Sequence, residues 1–269
     1  MPDTFYTDRL YPFMDKVLSL LRAADAPFYL TGGTALGRHY LHHRYSDDLD
    51  LFVNQAADFR DHVKKALEAL RRDGVTFEVG TAADTFVRIL ARDDGLTLKV
   101  DFINDVAFRY GDLQEATFYP RIDHWRNILS NKLCALSRRE PKDMADILLI
   151  AQSFPFLWQE IFSEARQKDL WVEPLEIARM IEEFPVDWLA AVKWEQPVDP
   201  GACAAALKTL HSDIFHGCRN SLQEKRGDSS RFFPHPELAG REKGGDQQRH
   251  LRKICGQKDG HGKTFADLI

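Results

Sequence analysis

Between residues 7 and 24, Leu10, Phe13, Met14, Val17, Leu18 and Leu21 recur at three- and four-residue spacing, which predicts an amphipathic helix with a packing role. Phe28, Tyr29 and Leu30 follow as a short apolar strand. It runs into Thr31-Gly32-Gly33-Thr34, and Ala35, Leu36, Tyr40 and Leu41 then suggest a second helix, so the glycines fall at a strand-to-helix turn. Residues 48–53 alternate polar and apolar before closing on Leu51, Phe52 and Val53, the signature of a strand with one polar face. A helix over residues 57–72 turns Phe59, Val63, Ala66, Leu67 and Leu70 inward. Residues 75–79, 85–91 and 96–103 read as three more strands, the last two joined as a hairpin through Asp93-Asp94-Gly95.

Beyond residue 123 the period becomes helical, with segments at 125–136, 142–154, 156–168, 174–183 and 201–222. Prolines 141, 155, 174, 185, 197 and 200 stand between them or at their starts, where a missing N–H costs least. After Leu222 the chain turns polar and rich in glycine, with too little apolar surface to offset the entropy of ordering. These patterns predict an α+β protein of three parts: an α/β domain with a mixed sheet over 1–122, a helical lobe over 123–222 and a disordered tail over 223–269. The tail's excess of Lys and Arg would suit an RNA-contacting arm, or simply a solvated extension.

Composition narrows the class without naming it. The chain has 269 residues, 44% of them hydrophobic and 29% charged, as in an ordinary globular protein. No apolar run approaches the ~20 residues a membrane helix needs, and Met1-Pro2-Asp3-Thr4 lacks the basic start of a secretory leader, so a cytoplasmic location without membrane partners is expected. Cys134, Cys203, Cys218 and Cys255 are scattered, which argues against disulfides and structural zinc. A net charge of −5 disfavours nonspecific coating of nucleic acid but leaves room for a local basic groove.

The candidate chemistry lies in the first half. Asp48 and Asp50, two apart on a strand, leave the same face with Cα atoms about 7 Å apart. Both can reach one magnesium or a pair of ions, because magnesium takes one or two carboxylates together with substrate phosphates. Asp101 adds a third carboxylate on an otherwise apolar strand and would help deprotonate an attacking hydroxyl; alternatively it only pairs with Lys99 or Arg88. Gly32 and Gly33 allow close backbone approach to a phosphate at a helix start, where Thr34 could add its hydroxyl. Arg44 and Ser46 are further candidates for the triphosphate. Taken singly, a Gly-Gly turn or an Asp-x-Asp is commonplace. In this order along the chain they are hard to explain as packing. His39, His42 and His43 read as a solvated helix surface.

At this point the chain resembles the DNA polymerase β-like nucleotidyltransferase superfamily. More narrowly, Leu30-Thr31-Gly32-Gly33-Thr34-Ala35-Leu36 with Arg44-Tyr45-Ser46-Asp47-Asp48-Leu49-Asp50-Leu51 resembles the AbiEii/AbiGii toxin family. Residues 131–139 and 142–147 are similar to that family's later motifs. The resemblance implies a polymerase β-like fold and magnesium- or manganese-dependent transfer of a nucleoside monophosphate from an NTP. It further implies an RNA or tRNA acceptor, and a toxin restrained by an antitoxin encoded nearby or acting in phage defence. By motif position, Lys132 would contact the triphosphate, and Asp143 or Asp146 would complete the nucleotide site on the following helix. The metal ligands would be Asp48, Asp50 and Asp101, with Lys132 joining them as catalytic residues. Lys142 and Asp146 could equally be an exposed helix ion pair. Two alternatives stay open: nucleotidylation of a protein or small-molecule hydroxyl, and a nucleotide-binding regulator without turnover.

Overall fold

The structure is a computed structural model and describes residues 3–223; the tail over 223–269 thus falls almost wholly outside the described residues. After a wide helical turn at Tyr6–Leu10, α1 (Tyr11–Ala23) leads to β1 (Tyr29–Thr31) and the one-turn α2 (Gly32–Ala35). Then come β2 (Asp48–Asn54), α3 (Phe59–Arg72), β3 (Thr76–Ala82), β4 (Phe86–Asp93) and β5 (Leu96–Asp105). The helices α4 (Trp125–Ala135), α5 (Pro141–Ser153), α6 (Trp158–Arg166), α7 (Pro174–Glu182) and α8 (Pro200–Phe215) complete the described chain.

Two compact units result. Among the described residues, the first comprises those up to Lys132 and takes back Val192–Gln196; the second holds Leu133–Ala191 and residues 197–223. This division differs from a boundary at 122. Residues 121–123 lie along β1, with Leu30 N–H donating to the Arg121 carbonyl (2.8 Å) and Asp123 N–H donating to the Leu30 carbonyl (2.9 Å). The start of α4 is then tied to that loop by Asn127 Nδ2, 2.8 Å from Asp123 Oδ2.

The first unit is built on a mixed sheet in the order β1-β2-β5-β4-β3, with β2 and β5 parallel and every other neighbour antiparallel. Period-two alternation gives it one apolar face: Leu49, Leu51, Val53, Val87, Ile89, Leu98, Val100 and Phe102 are buried. Helix α3 packs against α1, and Phe28 links it to the sheet, its ring 6.2 Å from Phe59 and 4.9 Å from Phe102. The opposite face carries Asp48, Asp50, Lys99 and Asp101. The edge strand β3 is largely exposed and its register shifts between Val79 and Thr81, an irregularity that discourages edge-to-edge pairing. It also runs to Ala82, past the predicted end at 79.

In the second unit, α5 is buried over its whole middle, from Asp143 to Ala151. Trp158 is fully buried, and Asn220 Nδ2 closes the unit by donating to the carbonyls of Ala151 (2.5 Å) and Phe154 (2.9 Å). No helix among the described residues is long and apolar enough to cross a membrane.

Candidate active site

Strand register decides what the site contains. Asp50 stands between Thr31 of β1 and Asp101 of β5, and Asp101 faces Arg88 of β4. Asp48 is paired with Lys99 in the same way. Four strands therefore present the row Thr31, Asp50, Asp101, Arg88 on one face, with Asp48 and Lys99 in the row beside it.

The carboxylates are tied to cations of the site itself. Lys99 Nζ lies 2.5 Å from Asp48 Oδ2 and 4.0 Å from Asp101 Oδ2. Arg88 grips Asp101 with two bonds of 2.7 Å, from Nε to Oδ1 and from Nη2 to Oδ2. Asp101 is 5% exposed, and this fork supplies the partner a buried charge requires. Hydrogen bonding to Asp101 in turn raises the Arg88 pKa. Asp50 has its pKa raised, first by burial and then by the charges of Asp48 and Asp101; Lys132 on α4, and more weakly Lys99, pull the other way. Lys132 thus acts electrostatically on Asp50, at the position where the sequence expects a triphosphate contact.

The turn glycines are needed because side chains crowd them. Gly32 has φ +68°, and a Cβ there would collide with Asp50 Oδ2. A Cβ on Gly33 would collide with Arg44 Nη2 and come within 3.1 Å of Ser46 Oγ. Helix α2 begins at Gly32 itself, not after Thr34, so the glycines form the first turn of the helix. The Thr34 hydroxyl, expected on a phosphate, instead donates to the Asp48 backbone carbonyl; Thr34 is 1% exposed and fastens the turn to β2. Arg44 and Ser46 are both buried, and Arg44 Nη1 donates to the Tyr45 carbonyl (3.1 Å).

Several contributors have no signal in the sequence. Val192–Gln196 pairs with the stretch before Asp48: Tyr45 N–H donates to the Lys193 carbonyl (2.8 Å), and Glu195 N–H to the His43 carbonyl (3.0 Å). Lys193 Nζ and the Tyr6 hydroxyl both bond Asp47, at 2.7 and 2.8 Å. His43, expected on a solvated surface, is 1% exposed because this pairing covers it. Asp143 and Asp146 belong to the second unit, both fully buried on α5, with Arg138 Nη2 2.9 Å from Asp143 Oδ2.

The fit to a divalent ion is partial. Among the described residues no group of three or more His, Cys, Asp or Glu side chains is arranged to hold a metal. In the expected set of Asp48, Asp50 and Asp101, Arg88 engages both oxygens of Asp101 and Lys99 engages one oxygen of Asp48. Asp48 and Asp50 remain as a same-face pair, the number of carboxylates that magnesium takes when phosphates complete its shell.

Comparisons with known proteins bear on family and fold. A family model described as "Nucleotidyl transferase AbiEii toxin, Type IV TA system" matches residues 19–200. Among solved structures, JHP933 from Helicobacter pylori is similar with a TM-score of 0.52 at 21% identity, covering 81% of this chain and 93% of that one. A second H. pylori structure, described as a candidate nucleotidyltransferase, gives the same score and identity over 81% of this chain and 96% of its own. At that identity the two structures speak for the shared α+β fold. No curated protein sequence matches. Because the family model spans well over half of the chain and includes the glycine turn and all three aspartates, the chain belongs to the AbiEii nucleotidyltransferase toxins of type IV toxin–antitoxin systems.

Proposed function

We propose that this nucleotidyltransferase moves a nucleoside monophosphate from an NTP to a hydroxyl of RNA, with tRNA the first acceptor to test, in the cytoplasm and under restraint by an antitoxin. The observation that carries this reading is the convergence of Asp48, Asp50 and Asp101 on one sheet face beside a glycine turn, with Lys99, Lys132 and Arg88 among them. Such a site suits a polyanionic substrate with a counter-ion. The Asp48 and Asp50 oxygens suit the ion, while the lysines and the N–H groups of Gly32 and Gly33 favour phosphate.

Asp48 and Asp50 are the residues that would hold magnesium or manganese, which when bound neutralises the triphosphate and the departing pyrophosphate. The remaining roles belong to the chain. Lys99 leaves Asp48 for a phosphate oxygen, and Lys132 balances the charge at Asp50. Asp101, with one oxygen released from Arg88, accepts the proton of the acceptor hydroxyl. The hydroxyl oxygen forms the new bond to the α-phosphorus; the bond from that phosphorus to the β-phosphate bridging oxygen breaks, and its electron pair leaves with pyrophosphate.

The test is incubation with each α-labelled NTP, magnesium, and total RNA or total protein. Label in RNA, lost in Asp48→Asn and Asp50→Asn, is the expected result. Label in protein or in a small molecule would replace the acceptor, and label nowhere would leave a nucleotide-binding regulator.

A further inference from the structure

Tyr29 of β1 pairs with Phe52 of β2, two residues beyond Asp50 on the same face and so about 7 Å further along the strand. Over the Tyr29 ring lies the guanidinium of Arg109, 5.5 Å from its centroid. Arg109 Nη1 is buried and has no hydrogen-bond partner. Asp105 and Asp123 are near enough to raise the Tyr29 pKa after burial has done so, yet neither accepts from that nitrogen. Arg109 as a whole is half-buried, so it is this one donor that is desolvated without a partner, and an anionic oxygen is a group that would satisfy it.

Its surroundings say which anion. Phe108-Arg109-Tyr110 and His124-Trp125-Arg126 are two basic–aromatic triplets folded together, all six side chains half-buried. Arg126 stacks 4.4 Å over the Tyr110 ring, whose centroid is 5.7 Å from that of His124. Tyr110 N–H is held by Asn127 Oδ1 (3.0 Å), and Gly111, at φ +76°, packs so close to His124 that a Cβ would fall 2.7 Å from its ring. Aromatic faces alternating with guanidinium groups on a built loop suit unpaired bases joined by phosphates, whereas duplex binding needs a row of phosphate contacts and no stacking.

We infer that the 108–110 and 124–126 loops form a subsite for single-stranded RNA next to the catalytic carboxylates, with Arg109 Nη1 taking a phosphate and Tyr110 a base. The inference rests on the reading of RNA as acceptor.

The test uses the full chain and a fluorescent single-stranded RNA of about 12 nucleotides, within the site sizes of single-strand-binding proteins, beside a DNA of the same sequence. Arg109→Gln and Tyr110→Ala should each weaken RNA binding roughly tenfold. Only Arg109→Gln should flatten the salt dependence, by about 0.7 in the log–log slope for one lost phosphate. Arg109→Lys keeps the charge and should keep the slope while losing part of the affinity, which separates phosphate binding from misfolding. The rise in melting temperature produced by NTP with magnesium should be the same in all three variants as in the native chain. RNA bound by Arg109→Gln as tightly and as steeply as by the native chain, with label still transferred to RNA, overturns the subsite and leaves the acceptor reading standing. DNA bound as tightly as RNA overturns the choice of RNA. A native chain that labels protein and binds no RNA overturns both.

Discussion

Asp50 shows the cost of burying a carboxylate most directly. Its pKa is raised above 3.8, chiefly by burial, so the folded state holds a proton more readily than the unfolded chain. Stability from this group is therefore greatest in acid and falls as pH rises through the shifted value. Asparagine lacks this dependence. Asp50→Asn should raise the melting temperature at neutral pH in metal-free buffer, with the gain shrinking towards pH 3.8, while transfer is abolished. A lower melting temperature at neutral pH would show that Lys132 depends on Asp50 more than Asp50 suffers from burial. Arg88 invites a second substitution, because a lysine keeps its charge and loses the fork that aims both Asp101 oxygens. Arg88→Lys should lower kcat for transfer and leave KM for NTP nearly unchanged; equal changes in both would make Arg88 a substrate contact.

At the scale of elements, the joint between β1 and α2 is held from several sides. The Thr34 hydroxyl bonds the Asp48 carbonyl, the Thr31 hydroxyl donates to Asp123 Oδ2 at 2.6 Å, and Gly32 supplies the left-handed φ that turns the chain against Asp50. Gly32→Ala meets both a strained backbone and the Asp50 carboxylate. It should cost about 1–3 kcal/mol in chemical denaturation and abolish transfer. Gly33→Ala, free of the φ penalty, should retain more stability but displace Arg44. Two variants of equal stability would mean that the left-handed turn is not the constraint. The element pattern itself was largely legible: period two over residues 48–53 put Asp48 and Asp50 on one face because that alternation is local. The start of α2 was not legible, since a Gly-Gly pair is equally compatible with a turn before a helix and with its first turn.

For the whole molecule, the prediction is linkage. A ligand that binds only the folded chain raises its melting temperature with concentration, so NTP with magnesium should stabilise the native protein and leave Asp48→Asn/Asp50→Asn unmoved. Expression of the native chain should arrest bacterial growth, as membership of a toxin family implies, and the double variant should not. Growth arrest that survives the double substitution would detach toxicity from the carboxylate site.

Local order along the chain was enough to place the glycine turn, the paired aspartates, the strands and the helical half, and with them the nucleotidyltransferase family, although the last helix ends at Phe215 and not at 222. Each rests on neighbours within one or two turns, where period and turn chemistry act directly. What joined them came from contacts distant in sequence. The parallel pairing of β2 with β5 sets Asp101 beside Asp50, and the antiparallel β4 lays Arg88 across it; no local pattern reveals a strand's partner or register. Val192–Gln196 returns to the first unit to cover His43 by the same kind of non-local pairing. The commitment of Thr34 to a backbone carbonyl and the unsatisfied nitrogen of Arg109 belong with these: each depends on which groups folding brings within hydrogen-bond reach, and only the tertiary structure decides that.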